Sequence, residues 1–333
     1  MPATRTPIHP EAAAYKNPRY QSGPLSVIPK SFVPYCELMR LELPHGNFLG
    51  YFPHLVGLLY GSSASPARLP ANEVAFQAVL YIGWTFFMRG AGCAWNDVVD
   101  QDFDRKTTRC RVRPVARGAV STTSANIFGF AMVALAFACI SPLPAECQRL
   151  GLMTTVLSII YPFCKRVTNF AQVILGMTLA INFILAAYGA GLPAIEAPYT
   201  VPTICVTTAI TLLVVFYDVV YARQDTADDL KSGVKGMAVL FRNYVEILLT
   251  SITLVIAGLI ATTGVLVDNG PYFFVFSVAG LLAALLAMIG GIRYRIFHTW
   301  NSYSGWFYAL AIFNLLGGYL IEYLDQVPML NKA

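Results

Sequence analysis

The chain has 333 residues, of which 56% are apolar and only 12% are charged. That charged share is well below the quarter or so that is usual in a soluble domain, and the mean hydropathy is +0.57. The composition therefore excludes an ordinary soluble protein and indicates a membrane protein with several spans. The net charge of +5 does not predict nucleic-acid binding, because the positive residues follow the membrane topology described below. Seven cysteines without paired spacing predict neither a disulfide framework nor a zinc site.

Residues 1–38 contain several prolines and no long apolar run, so we expect a flexible lead on the cytosolic side. Residues 39–325 are predicted to form a single transmembrane domain, and residues 326–333 a short tail. No feature of the sequence indicates an obligate protein partner.

Nine apolar runs approach the roughly 20 residues that a spanning helix needs, although the first and fourth are short. These runs are 47–60, 74–95, 122–140, 150–163, 170–190, 201–221, 245–267, 272–292 and 305–323. They predict an all-α bundle of about nine transmembrane helices.

The positions of lysine and arginine test this topology, because cytosolic loops carry an excess of both. Nineteen of them fall in the lead and in alternate loops. Only Arg68, Arg149 and Lys332 fall on the opposite side, and Arg89 is left inside the second run. We therefore predict that the N-terminus and both acidic motifs described next face the cytosol.

The first acidic motif ends the second apolar run. If the helix continues through Asp104, then Asn96, Asp100 and Asp104 are four residues apart and share one face. Asp97 lies at the edge of that face, and Asp102 points away from it. Such oxygen-bearing side chains repel one another unless a cation lies among them.

The second acidic motif ends the sixth apolar run. Asp218, Asp225 and Asp229 are spaced seven and four residues apart, which again predicts one helical face. Two acidic faces at the polar ends of apolar helices indicate a site for Mg²⁺, which binds carboxylates and phosphate oxygens. Basic side chains nearby would hold the phosphate charge, and the candidates are Lys106, Arg109, Arg113, Lys165 and Lys231. A solvated loop is the alternative interpretation, and the helical spacing of both motifs disfavours it.

Two further positions have two interpretations each. Arg89 lies seven residues before Asn96, so it shares the acidic face from deeper in the membrane. It either neutralises the carboxylates or holds an anionic substrate. Lys165 lies four residues after Tyr161 at a predicted cytosolic helix end, where it is either a site residue or a positive flank of the span.

These motifs resemble those of a known family, the UbiA intramembrane aromatic prenyltransferases. The first motif is similar to that family's first signature, through Asn96-Asp97-x-x-Asp100-x-x-x-Asp104, Arg109, Arg113-Pro114 and Gly118-x-x-Ser121. The second motif is similar to its second signature, through Tyr217-Asp218-x-x-Tyr221-Ala-x-x-Asp225-x-x-Asp228-Asp229-x-x-x-Gly233-x-Lys235. Arg40-Leu-Glu-Leu-Pro44-His-Gly46 and Tyr161-Pro162-x-x-Lys165-Arg166 resemble two further elements. Leu43 stands where the family usually has lysine, and Gly236 where it usually has serine.

The resemblance implies a bundle around a central cavity that opens to the cytosol, with Mg²⁺ as cofactor. A prenyl diphosphate would lie between two metal-binding clusters, Asn96, Asp97, Asp100 and Asp104 in one and Asp218, Asp225 and Asp229 in the other. The catalytic residues would be Asp100, Asp104, Asp225, Asp229 and Lys165. The aromatic acceptor would contact Arg40, Tyr161 and Arg89.

The sequence is most similar in character to fungal meroterpenoid-pathway members, which implies transfer of a farnesyl chain to a polyketide-type acceptor such as a phenolic acid. The expected location is then the endoplasmic reticulum or another endomembrane. Three alternatives stay open: a 4-hydroxybenzoate polyprenyltransferase of quinone biosynthesis, a membrane terpene cyclase, and a divalent-cation transporter. A transporter would place its acids in broken helices at mid-membrane, whereas these lie at helix ends.

Overall fold

A computed structural model describes residue 8 and residues 10–65 and 69–326 of the chain, except for the side chains of 232 and 326. The described residues form helices and connecting loops, with no β-strand among them. The long helices are α1 His45–Ala64, α2 Ala71–Asp104, α3 Thr122–Ile140, α4 Ala145–Val167, α5 Ala171–Gly189, α6 Thr200–Ala222, α7 Val245–Leu266, α8 Pro271–Arg293 and α9 Ser302–Gln326.

The seven helices from α3 to α9 are long and apolar enough to cross a membrane. This finding and the composition define a multi-pass integral membrane protein. Every predicted apolar run is helical in the structure, and α3 has the predicted bounds. Helix α2 continues without a break through Asp104, so the condition on which the shared acidic face depended is confirmed.

Helices α5 and α6 form the centre of the bundle, whereas α3 and α4 lie at its lipid side. In the most apolar stretch of each helix, 61% of residues are buried in α5 and α6, against 17% in α3 and α4. Glycines bring the central backbones close together: a Cβ on Gly57 would lie 2.1 Å from the carbonyl oxygen of Phe183, and one on Gly176 would lie 2.5 Å from that of Thr211. Small residues therefore set the α1–α5 and α5–α6 crossings.

The second acidic motif departs from the sequence prediction. Helix α6 ends at Ala222, a tight 3₁₀ turn follows at Arg223–Asp225, and a separate helix spans Thr226–Ser232. The prediction that Asp218, Asp225 and Asp229 share one helical face is therefore wrong in its uninterrupted helix, although all three line the same cavity. At this break, Asp225 accepts two hydrogen bonds from Arg109 of the loop between α2 and α3.

The described part of the predicted flexible lead contains short helices and packs against the loop between α2 and α3. Its last helix, Val33–Leu38, carries Glu37, which forms a buried ion pair with Arg117 of that loop. Tyr20 donates a hydrogen bond of 2.9 Å to Glu42. The tail was predicted to span 326–333, and residue 326 is instead the last residue of α9. Residues 327–333, with Lys332, and residues 66–68, with Arg68, lie outside the described residues.

Candidate active site

A cavity of about 400 Å³ lies among α1, α2, α4, α5 and α6 and is lined at one end by both acidic motifs. The acidic-motif side chains in its lining are Asn96, Asp100, Asp104, Asp218, Asp225 and Asp229. Asp97 lies just behind the lining, where it is fully buried and forms an ion pair with Arg40. The two motifs, more than a hundred residues apart in the chain, thus meet at one site.

The loop between α2 and α3 brings basic side chains to these acids. Arg105 donates a hydrogen bond of 3.1 Å to the carbonyl oxygen of Ala116, which folds the loop back on itself. Gly118 then adopts a left-handed conformation with φ of +80°, which glycine tolerates best. Ser121 caps α3 by accepting a hydrogen bond from the backbone N–H of Ser124 at 3.0 Å.

Each of three predicted phosphate-binding bases lines the cavity and pairs with one acid. Arg113 donates to the two carboxylate oxygens of Asp104 at 3.0 and 2.9 Å. Arg109 donates to the two oxygens of Asp225 at 2.8 and 2.5 Å. The two-nitrogen contact of Arg109 is the fork-like geometry in which arginine binds carboxylate or phosphate most strongly, whereas both bonds of Arg113 come from its Nη1.

Lys165 completes the set on the α4 side. Its Nζ lies 3.5 Å from Asp100 and 5.2 Å from the ring centre of Tyr161. Tyr161 also lines the cavity, so both predicted α4 residues face the site.

The loop arginine Arg113 is held in its charged form. Burial lowers the pKa of its guanidinium, but the carboxylates of Asp104 and Asp97 raise it more, so the net pKa lies well above its ordinary value. Asp97 lies 3.7 Å from Arg113 and thus faces a second cation besides Arg40. The acid cluster on α2 is consequently balanced by fixed positive charge.

Arg89 does not neutralise the carboxylates by direct pairing: no ion pair joins it to an acid of the described residues, and contact with an anionic substrate stays a prediction. Its guanidinium donates to the backbone carbonyl oxygens of Met39, Arg40 and Leu43 at 3.0 to 3.2 Å. It therefore pins the segment that precedes α1, while still lining the cavity.

Two predicted phosphate ligands lie elsewhere. Lys106 and Lys231 are exposed and do not line the cavity. Lys106 follows the end of α2 by two residues, where the chain has already turned toward solvent. Asp102 is 56% exposed, in agreement with its predicted position off the acidic face.

The deep end of the cavity is polar, a feature that sequence analysis missed. His54 Nε2 and Thr85 Oγ1 are buried without a hydrogen-bond partner. Trp84 Nε1 donates to Asn182 Oδ1 at 3.1 Å, and both residues also line this end. A histidine within an apolar run, and an asparagine within another, were the available signals, since polar groups at membrane depth are costly.

The residues at the acidic end fit a bound cation in chemistry, although no ready-made metal cage is present. Among the described residues, no group of three or more histidine, cysteine or acidic side chains converges on a common metal position. However, Asn96 Oδ1 and Asp97 Oδ2 are buried without a hydrogen-bond partner. Buried oxygen atoms of this kind are costly to leave unsatisfied and suit a hard cation.

A membrane bundle that brings two acid-rich helix ends and their bases to one cavity defines an intramembrane enzyme that acts on an anionic substrate. The sequence model of the UbiA prenyltransferase family matches residues 51–311. The chain belongs to this family, and it is a prenyltransferase.

The relatives agree with this assignment. The chain is 54% identical to prenyltransferase ascA of Acremonium egyptiacum, over 97% of this chain and 94% of that one. It is 38% identical to DMOA farnesyltransferase nvfB of Aspergillus novofumigatus, over 79% and 82% of the two chains.

Solved structures share the fold. A UbiA homologue from Aeropyrum pernix superposes with a TM-score of 0.66 at 21% identity, covering 86% of this chain and 99% of that one. A homologue from Archaeoglobus fulgidus bound to GPP and Mg²⁺ superposes with a TM-score of 0.59 at 18% identity, covering 85% and 99%.

Proposed function

We propose that this enzyme transfers a farnesyl chain from farnesyl diphosphate to an aromatic polyketide-type acceptor, such as a phenolic acid, in meroterpenoid biosynthesis. The observation that carries the proposal is the meeting of two acidic motifs and three bases at one end of an intramembrane cavity. The similarity to a DMOA farnesyltransferase supports the farnesyl chain.

The metal in this proposal is Mg²⁺, in keeping with the homologue bound to GPP and Mg²⁺. It would be held by Asn96, Asp97, Asp100 and Asp104 of α2 and by Asp218, Asp225 and Asp229 of the second motif. When bound, Mg²⁺ acts as a Lewis acid that neutralises the diphosphate leaving group.

The protein's own cations hold the phosphate oxygens in this proposal. Arg109, Arg113 and Lys165 line the cavity beside the acids, and each is already charged and oriented by one carboxylate. Phosphate oxygens offer arginine the same bidentate geometry as a carboxylate, so an incoming diphosphate can take up the same donors. Lys106 and Lys231 are not part of the proposed site.

The bundle also protects the reacting carbon from water. Cleavage of the allylic C–O bond leaves a carbocation that water would quench, and a cavity enclosed by five helices limits that access. The acceptor would lie beside Arg40 and Tyr161, which line the cavity near the acids. Arg89 would support this pocket by holding residues 39–43 in place.

The topology in this proposal has nine spans, with α1 and α2 crossing the membrane as well. The N-terminus and the acidic end then face the cytosol, in agreement with the distribution of lysine and arginine. Residues 39–325 form the transmembrane domain, and the membrane is that of the endoplasmic reticulum or a related compartment.

The test is product analysis. Membranes that contain the protein are incubated with Mg²⁺, a phenolic acid, and dimethylallyl, geranyl, farnesyl or geranylgeranyl diphosphate, and products are identified by mass spectrometry. We expect a C-farnesylated acid that disappears when the metal is chelated. Formation of a cyclic hydrocarbon without acceptor, or of no product with any prenyl diphosphate, would contradict the proposal.

A further inference from the structure

A second groove, of about 180 Å³, lies between α2, α3 and α4 at the lipid side of the bundle. Met88, Gly92 and Ser158 line both this groove and the central cavity. These three residues therefore lie at the boundary between the two spaces. At Gly92 the partition is thin, because a Cβ placed there would meet no atom within 4 Å.

The walls of the groove are suited to hydrocarbon, with Asn126 as their single amide side chain. Two of its hydroxyl groups are satisfied within their own helix: Ser158 donates to the carbonyl oxygen of Thr154 at 2.8 Å, and Thr155 to that of Gly151 at 2.9 Å. Phe130, which lines the outer side, is 77% exposed and so faces lipid. Both hydroxyl groups would therefore keep their hydrogen bonds when an apolar chain lies in the groove.

The deep end of the central cavity has the opposite character. His54 Nε2 and Thr85 Oγ1 have no hydrogen-bond partner there, and the bond from Trp84 to Asn182 lies across it. A hydrocarbon tail pressed against these groups would prevent water or a polar ligand from satisfying them, which is unfavourable. Between α1 and α9, the rings of Phe48 and Phe313 contact each other, with their centres 5.6 Å apart.

We propose that the terminal isoprene units of the prenyl chain leave the central cavity at Gly92 and lie in the groove between α3 and α4. Gly92 precedes Asp100 by eight residues, which is about 12 Å along a helix. The extended main chain of a farnesyl group exceeds that distance, whereas a dimethylallyl group ends well short of it. This inference rests on the proposed function, since it assigns a place to the chain of that substrate.

The first test fills the groove from the α3 side. Gly129 lines the groove but not the central cavity, and its nearest neighbours to an added Cβ lie at 3.8 and 3.9 Å. Gly129→Leu should reduce kcat/KM for farnesyl diphosphate about tenfold or more, while that for dimethylallyl diphosphate changes by less than about twofold. The matched control is Gly258→Leu on α7, where an added Cβ meets nothing and the residue is exposed. An equal loss for both chain lengths, or no loss for farnesyl, would overturn the inference.

The second test does not depend on turnover. Farnesyl diphosphate with a diazirine on its last isoprene unit is bound in the presence of Mg²⁺, irradiated, and the labelled peptides are sequenced. We expect label within 125–133 and 155–159. Label at His54, Trp84 or Asn182 would reject the groove and leave the proposed function intact. If bilayer lipid occupies the groove instead, the label will appear outside 125–133 and 155–159, which also rejects the inference. Absence of both labelling and turnover would reject the proposed function itself.

Discussion

Asp97, the most deeply buried carboxylate of the site, shows that the acids of the first motif have different surroundings. It is fully buried, contacts Arg40, lies 3.7 Å from Arg113, and keeps one oxygen without a partner. The lining carboxylates Asp100 and Asp104 are nearly as buried but face the cavity. Asp97 therefore holds Arg40 from behind the lining, while Asp100 and Asp104 carry their own cations, Lys165 and Arg113, at the cavity surface.

The first residue-scale prediction concerns the lining acids. Asp100→Ala or Asp225→Ala should lower the turnover rate by at least about 100-fold, because even an outer-shell partner of a bound metal is worth 10–100-fold. Both residues line the cavity. The control is Asp102→Ala, whose side chain is 56% exposed and should be tolerated. The rate of prenyl transfer is measured for each variant at equal expression level. Near-normal activity of either Asp100→Ala or Asp225→Ala would contradict a site formed by both motifs.

The second residue-scale prediction concerns Arg40. From the sequence, we expect Arg40→Ala to raise KM for an acidic acceptor. Because Arg40 also forms an ion pair with Asp97, the same substitution should lower the free energy of unfolding. Loss of one partner of a buried ion pair destabilises by about 3–5 kcal/mol, and the nearby Arg113 should keep the loss at the low end.

Thermal unfolding in detergent, with and without the prenyl diphosphate, measures this effect. The double variant Arg40→Ala/Asp97→Ala is the control, because it removes the unpaired charge and should recover part of the stability. If Arg40→Ala unfolds at the temperature of the unmodified protein, the ion pair has no structural role.

At the scale of helices, glycines rather than apolar periodicity set the spacing of the central elements. Helix α1 meets α5 at Gly57, and α5 meets α6 at Gly176. We expect Gly57→Ala to reduce folded yield and to destabilise by roughly 1–3 kcal/mol or more, because the methyl group would enter the space of a backbone carbonyl. A Cβ at Gly290 of α8 would lie within 4 Å of no other atom, so Gly290→Ala should leave stability unchanged or raise it slightly.

Size-exclusion profiles in detergent and thermal unfolding check this prediction. Equal stability of the two alanine variants would show that the α1–α5 crossing is more adaptable than its geometry indicates.

The helices also show how far sequence reasoning reaches. The apolar runs located every long helix, because burial in lipid demands continuous apolar length. The shared face of Asn96, Asp100 and Asp104 was conditional on an unbroken α2, which the structure shows. The break at Arg223–Asp225 was not predictable in the same way. It accompanies a contact with Arg109 from a loop more than a hundred residues earlier, and periodicity carries no information about such contacts.

At the scale of the whole molecule, the arrangement of charge predicts the orientation in the membrane. A cysteine placed at Thr108 should react with a membrane-impermeant maleimide in sealed microsomes, and one at Glu196 should react only after permeabilisation. Both positions are exposed, and a background without the native cysteines avoids competing labels. Reaction of Glu196→Cys in sealed vesicles would contradict the nine-span topology.

The candidate site was predictable from sequence at its acidic end and not at its deep end. Charged residues at helix ends are easy to recognise beside apolar runs. Their resemblance to two signatures of one family predicted that both motifs form a single site. The pairing of each base with a particular acid depends on the fold of the loop 105–120, which only the tertiary structure supplies. The same holds for His54, Trp84 and Asn182, which line one cavity from three different helices.

The docked lead has a practical consequence for preparing this enzyme for crystallisation. Proline-rich ends are commonly trimmed, and the composition of residues 1–38 invites that choice. Removal of all 38 would delete Glu37 and leave Arg117, only 7% exposed, without its ion-pair partner, at a cost of about 3–5 kcal/mol. Trimming only as far as residue 30 keeps the pair, so the shorter deletion should remain monodisperse after extraction and the longer one should aggregate.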